Sequence, residues 1–148
     1  KQKTPTAVAG CPPDCFAVTG QLWGNPLWDW DAMAKDGYAW WLNRLEFVQQ
    51  LYDVVRIDHF RGFERYYAIP YGAETAEHGK WRKGPDYALW KAAKARFGEM
   101  SVIAEGVEED DQLTTLSSIG CDFIQGFIWG RPLPADEAEQ VVLAEMKK

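Results

Sequence analysis

The sequence predicts an α/β fold, specifically a partial (βα) barrel of the TIM type with about four βα units and parallel strands. Three observations carry that expectation. Two short apolar runs each close in a carboxylate: Asp53-Val-Val-Arg-Ile-Asp58, followed by His59-Phe-Arg61-Gly62, and Ser101-Val-Ile-Ala-Glu105 before Gly106. Runs of this length with β-branched residues suit buried strands. Strand-like and helix-like patterns then alternate along the chain, which predicts a parallel sheet with right-handed crossovers. Finally, 148 residues suit one domain but fall short of a whole eight-stranded barrel, which takes about 250.

Residues 4–10 read as the end of a strand. The following stretch, with Pro12-Pro13-Asp14 and Gly20-Gln-Leu-Trp-Gly-Asn-Pro26, is dense in turn formers, so no regular structure is expected before Asp31. Loops this long in compact domains are functional or disordered, and Trp23 and Trp28 favour the first. From Asp31 to Leu51 Met33, Tyr38, Trp41, Leu45 and Val48 recur at helical spacing, with Asp29 or Asp31 as cap; Gly37 can divide the segment into two helices. Phe60 to Ile69 is aromatic-rich and stops at Pro70, and Tyr71 to Pro85 reads as a loop. Asp86 to Phe97 is an amphipathic helix ended by Gly98. Asp110 to Ile119 is a short helix closed by Gly120, Cys121 to Gln125 a strand, Gly126 to Pro134 a loop, and Ala135 to Lys148 a terminal helix.

Net charge is −6 with a pI near 4.9, which argues against a nucleic-acid or anionic-membrane partner. Eight Trp, six Tyr and seven Phe supply core area, and also flat platforms on which the C–H faces of sugar rings stack. Trp23 also reads as a hydrophobic plug. Cys11, Cys15 and Cys121 match no metal spacing, so no metal is expected, and reduced thiols point to a cytoplasmic protein. No signal peptide, transmembrane run or repeat is present. The chain opens on Lys1-Gln-Lys3 without Met and reads as an excerpt of something longer.

In a βα fold the carboxyl ends of the strands face the ligand cleft, so Asp58 and Glu105 are the first candidates for chemistry. Asp58 also reads as a helix N-cap. If the two strands are neighbours, roughly 4.8 Å apart, their terminal carboxylates come about 5 to 5.5 Å apart, the separation of a retaining glycoside-processing pair.

From about Thr6 to Glu105 the chain resembles the 4-α-glucanotransferases, the amylomaltases or disproportionating enzymes of glycoside hydrolase family 77. The stretches that carry the likeness are Val8-Ala-Gly-Cys-Pro-Pro-Asp14, Thr19-Gly-Gln-Leu-Trp-Gly-Asn-Pro-Leu27, Val55-Arg-Ile-Asp-His-Phe-Arg-Gly-Phe63, Gly79-Lys-Trp-Arg-Lys-Gly-Pro85 and Ile103-Ala-Glu105. The resemblance implies that Asp58 is a nucleophile forming a covalent glucosyl-enzyme, held ionised by Arg56, and that Glu105 is the general acid/base in a less polar pocket. It implies that His59 hydrogen-bonds the sugar, that Trp23 stacks on the glucan, and that Asp14 and Asn25 also bind substrate. The implied reaction transfers segments of α-1,4-glucans, whether maltooligosaccharides, starch or glycogen, without a cofactor.

Four departures accompany the likeness. Cys15 stands where the family has tyrosine. The family's N-terminal barrel strands and its later His-Asp motif, source of a third carboxylate, are absent, and Gly106-Val-Glu108 replaces an expected Asp-Leu-Gly. Residues 102–134 instead resemble the end of an EAL-type cyclic-di-GMP phosphodiesterase domain, through Ile103-Ala-Glu-Gly-Val-Glu108, Asp111-Gln-Leu113, Ile119-Gly-Cys-Asp122 and Gln125-Gly-Phe-Ile-Trp-Gly-Arg-Pro-Leu-Pro134. That likeness implies Mg²⁺ or Mn²⁺ near Glu105, Glu108 and Gln125, although the family's other metal ligands are missing. The expected organisation is residues 1–105 as a glucanotransferase-like partial barrel and 106–148 as an EAL-like βα segment packed in the same domain. A catalytically silent chimera or fragment is the third alternative, and in any of the three readings exposed sheet edges allow self-association.

Overall fold

A computed structural model describes residues 4–98, 101–118 and 120–146. It has an α/β fold with two separate sheets. Three strands, β3 (Val55–Ile57), β6 (Val102–Glu105) and β7 (Phe123–Gln125), form a parallel sheet in the order β3-β6-β7. Four others, β1 (Ala7–Cys11), β2 (Gln21–Pro26), β4 (Arg65–Pro70) and β5 (Lys80–Lys83), pair antiparallel in the order β2-β1-β4-β5. The helices are α1 (Trp30–Lys35), α2 (Ala39–Gln49), α3 (Tyr87–Phe97), α4 (Asp110–Ser118) and α5 (Ala135–Glu145).

The antiparallel sheet corrects the expectation of strand and helix alternating throughout, and with it the loops expected before Asp31 and over Tyr71 to Pro85. The reason lies in exposure. All six residues of β2 and all four of β5 are exposed, so neither strand carries the alternation that marks a half-buried strand in sequence. Their partners make them strands. β5, Lys-Trp-Arg-Lys, is an edge whose positive charges discourage further pairing. β1 can lie centrally because it is built of small residues: a Cβ on Gly10 would stand 2.2 Å from the Gln21 carbonyl oxygen and 2.3 Å from Ile69 Cδ1. Val8, Tyr67, Ile69 and Ala76 bury their side chains together in this sheet's own small core.

The second half follows the sequence more closely. α1 and α2 separate at Gly37 (φ 68°), and the Asp29 carboxylate caps α1 by accepting from the Ala32 N–H at 2.9 Å. Gly98 (φ 73°) ends α3. α2 and α3 lie over one face of the parallel sheet, where Leu42, Leu45, Leu89, Trp90, Ala93, Val102, Ala104 and Leu116 bury together. Arg96 of α3 ties the two helices, donating to Asn43 Oδ1 at 3.0 Å and Glu46 Oε2 at 2.5 Å. The expected ends of α4 at Ile119 and of the terminal helix at Lys148 lie outside the described residues. Among the described residues no helix is long and apolar enough to cross a membrane.

Candidate active site

Burial sets the direction of every side chain on the parallel sheet. Val102 and Ala104 of β6 are buried, and Val55 and Ile57 of β3 pack against the same core. Alternation therefore turns Arg56, Ile103 and Glu105 to the other face. Ile57 pairs with Ala104 in register as the last pair of β3 and β6; Asp58 follows as the first turn residue after β3, and Glu105 closes β6. Glu105 is in turn the register partner of Gln125 on β7. Two residues 47 apart in sequence thus share one sheet end.

Arg56 does not take the partner expected of it. Its guanidinium grips Glu105 with both prongs, Nε to Oε2 at 2.9 Å and Nη2 to Oε1 at 2.7 Å. The register explains this: Arg56 pairs with Ile103, and its long side chain leans along the sheet to the carboxylate two residues on. A fork of this shape matches a carboxylate's two oxygens and fixes its plane. Asp58 is exposed.

His59 turns the chain out of β3 with φ 48°, a left-handed conformation that a side chain other than glycine rarely takes. Gly62 makes room for it, since a Cβ there would stand 3.2 Å from His59 Cδ2. The Trp23 ring closes the other side, edge to face at 5.0 Å and 82°. Burial holds the imidazole pKa below its ordinary value; Asp58 opposes that shift, Arg61 adds to it and Glu108 opposes it. That direction favours the neutral form of the ring.

Trp23 reaches this position through a bulge. Between the pairs Val8 with Pro26 and Gly10 with Leu22, β1 advances two residues and β2 four. The surplus falls on Trp23-Gly24-Asn25, with Gly24 at φ 81°, and such bulges redirect side chains. The Trp23 indole N–H donates to Gln21 Oε1 at 3.0 Å. Asn25 is exposed on the same bulge. Asp14 stands on the loop between β1 and β2, where its Oδ1 accepts from the N–H groups of Phe16 and Ala17 at 2.8 and 2.7 Å. That oxygen holds the loop.

Sequence reasoning assigned Arg61 no role. It lies with its guanidinium over the Trp81 ring, 5.3 Å from the centroid, and its charge acts on both His59 and Cys11. Its presence inside the Asp58-His-Phe-Arg61 run was the available signal. A cavity of about 220 Å³ is lined by Phe60, Arg61, Asp86, Trp90, Val107 and Gln112 among others; neither Asp58 nor Glu105 lines it. The ligand set implied for Mg²⁺ or Mn²⁺ does not fit: Glu105 is held by Arg56, Gln125 is uncharged, and Glu108 is exposed on the segment after β6. Among the described residues no three His, Cys, Asp or Glu side chains stand together as a metal shell.

Comparison with known proteins places the chain in a family. A family model described as 4-alpha-glucanotransferase, of glycoside hydrolase family 77, matches residues 2–112. The 4-alpha-glucanotransferase of Streptococcus pneumoniae serotype 4 is 61% identical over 100 residues, which are 68% of this chain and 20% of that protein. The Thermus thermophilus 4-alpha-glucanotransferase is 50% identical over 101 residues, covering 68% and 20%. Among solved structures, amylomaltase from Streptococcus agalactiae in complex with acarbose superposes with a TM-score of 0.73 at 37% identity, over 78% of this chain and 24% of that one. The chain spans about a fifth of the length of these curated relatives. By the extent of the family match, which begins before β1 and runs into α4, this chain belongs to the 4-alpha-glucanotransferase family, glycoside hydrolase family 77.

Proposed function

We propose that the chain carries the nucleophile and the acid/base of a 4-α-glucanotransferase and moves α-1,4-glucan segments by retaining double displacement. The observation that supports this most is the parallel pairing of β3 with β6, whose last register pair, Ile57 with Ala104, immediately precedes Asp58 and Glu105. Strands about 4.8 Å apart suit the carboxylate separation of about 5 to 5.5 Å that a retaining mechanism uses.

In the first step an Asp58 oxygen attacks C1 of the donor glucose while Glu105, protonated, gives its proton to the departing 4-oxygen. The C1–O4 bond breaks and a glucosyl ester forms on Asp58. In the second, the 4-hydroxyl of an acceptor glucan attacks C1, Glu105 takes its proton, and the ester bond returns its electrons to Asp58. Glu105 must leave the Arg56 fork to act as an acid, and the released guanidinium is then on the same sheet end as the Asp58 anion. Trp23 offers a stacking face to the glucan, neutral His59 a hydrogen bond to the sugar at C1, and Asp14 and Asn25 further polar contacts at the β1–β2 edge. Maltooligosaccharides, starch and glycogen all present the required linkage. The parallel strands are in this reading a stretch of a (βα) barrel of the TIM type. Free Cys11, Cys15 and Cys121 suit a cytoplasmic setting, and β3 and β7, at the edges of their sheet, offer a second copy a place to pair.

Incubation with maltotriose tests the proposal: glucose and maltodextrins longer than the substrate are expected, and neither from the Asp58→Asn variant. An inert wild-type chain, or an Asp58→Asn variant as active as wild type, would overturn it.

A further inference from the structure

The helical turn Phe60–Phe63 after β3, the start of α3 and the segment from β6 into α4 enclose the cavity of about 220 Å³. Phe60, Phe63, Trp90, Val107 and Leu116 supply an apolar part of its wall, each 8% exposed or less. Phe60 stacks on the Trp90 ring at 4.9 Å and 20°, and Phe63 stands edge-on to it at 5.2 Å and 80°, which fixes the indole in that wall. A void of about 150 Å³ holds a benzene molecule. This one therefore takes a single ring with a short arm.

The polar groups around the cavity are not matched to one another. Among the described residues three buried side-chain donors lack an acceptor, and two of them, Trp90 Nε1 and Arg61 Nε, belong to residues that line it. Trp90 is 7% exposed, and a buried N–H without an acceptor is both costly and rare. Carboxylates line the same cavity without relieving these donors. Asp86 precedes α3 with φ 54°, yet its side chain caps no N–H of that helix, and Lys83 Nζ stands 3.6 Å from it. Asp111 is exposed, and one of its oxygens accepts from the N–H of its neighbour Gln112 at 2.8 Å. Glu64 is held by Arg65. One guanidinium against three carboxylates leaves the lining negative.

We propose that this cavity binds a small phenolic amine, one aromatic ring carrying a hydroxyl and a short ammonium arm, with the hydroxyl oxygen meeting the unpaired donors of Trp90 and Arg61 and the ammonium held by Asp86 and Asp111. The site is independent of the glucan reading, since neither Asp58 nor Glu105 lines it. A pyranose is the wrong guest: its several hydroxyls would be stripped of water against Phe60, Val107 and Leu116 and go unpaired. A ring acid would satisfy the donors but meet three carboxylates.

Isothermal titration calorimetry of the whole chain tests the site with tyramine as the probe, which is expected to bind saturably. Phenethylamine lacks the hydroxyl and phenol the ammonium; each should bind about fivefold more weakly, the scale of one hydrogen bond or a pair of half-open ionic contacts. 4-Hydroxyphenylacetate, with the charge of the arm reversed, should not bind. Trp90→Phe keeps a ring and removes the N–H, so tyramine should weaken about fivefold while phenethylamine is unchanged. Asp86→Asn/Asp111→Asn should weaken tyramine about fivefold and leave phenol unchanged. Side chains that only hold the fold would move both ligands alike. If Trp90→Phe loses its folded near-ultraviolet circular dichroism, the exposed Asp111→Asn is read instead, with a loss of about twofold for tyramine. No saturable binding of tyramine, a control ligand that binds as tightly, or variants that bind tyramine as wild type does would overturn the site.

Discussion

Arg56 on β3 holds both oxygens of Glu105 on β6, at 2.9 and 2.7 Å, across a parallel strand pair. The pair is half open to solvent, so its effect on stability is that of a surface bridge, between 0 and about 1 kcal/mol. Its effect on chemistry is larger in the proposed cycle, because the same guanidinium faces the Asp58 anion once Glu105 takes a proton. Arg56→Ala is therefore expected to shift the denaturant midpoint little and to lower the transfer rate by about a hundredfold, the scale of one lost electrostatic contact in an active site. Arg56→Lys should recover only part of the rate, since an ammonium cannot fork. Equal losses of stability and rate would show that the residue only holds the fold.

Asp58 is exposed just past β3, and its removal should leave the fold within about 0.5 kcal/mol of wild type, as surface substitutions do. Transfer should fall by about a thousandfold or more, because a nucleophile and its acid/base act as a unit. Initial rates of glucose release from maltotriose, read beside thermal unfolding of Asp58→Asn, separate the two quantities.

Most elements legible in the sequence are sorted by burial, whereas the exposed α5 was legible from its unbroken run of helix formers alone. α3 is bounded by Asp86 and Gly98, and its Leu89, Trp90 and Ala93 all meet the core. β6 and β7 are short apolar runs beside the same core. β2 and β5 were not legible, because Gln-Leu-Trp-Gly-Asn-Pro and Lys-Trp-Arg-Lys expose every residue and gain their shape from pairing alone. The same holds at the site. Asp58 and Glu105 stood out as carboxylates closing apolar runs, whereas the partner of Arg56 depends on the register of Arg56 opposite Ile103, which no local pattern encodes. The bulge that aims Trp23 at His59 arises from a mismatch between two strands and is equally invisible in one.

His59 makes stability depend on pH. Burial lowers its folded pKa below the ordinary 6.5, so the folded state favours the neutral ring. Its contribution is fully present above the unfolded pKa, near 6.5, and is lost as pH falls from there through the folded value. Urea unfolding at several pH values between 7.5 and 4.5 should show wild type losing stability in that window. His59→Asn, which keeps a side chain tolerant of the left-handed turn, should lack that part of the slope. Identical slopes in the two proteins would remove His59 as the cause.

Gly126, directly after β7, is where the segment behind Glu105 is most sensitive to volume. A Cβ there would stand 1.9 Å from the Val107 carbonyl oxygen and 2.5 Å from its nitrogen, both backbone atoms that cannot swing aside. The same stretch is knitted to β7 by the N–H groups of Gly106 and Val107, which donate to the Gln125 carbonyl at 2.9 and 3.2 Å, and by the Ile128 N–H, which donates to the Val107 carbonyl at 3.1 Å. Moving Val107 aside would pull a side chain that is 2% exposed out of the core and drag the end of β6 with it. Gly126→Ala should therefore destabilise by about 1–3 kcal/mol, the scale of overpacking, and also lower transfer by displacing Glu105 at the end of β6. Glu137→Ala on the exposed α5 serves as the comparison and should change neither. A Gly126→Ala protein as stable as wild type would mean that β7 does not seat against Val107 as described.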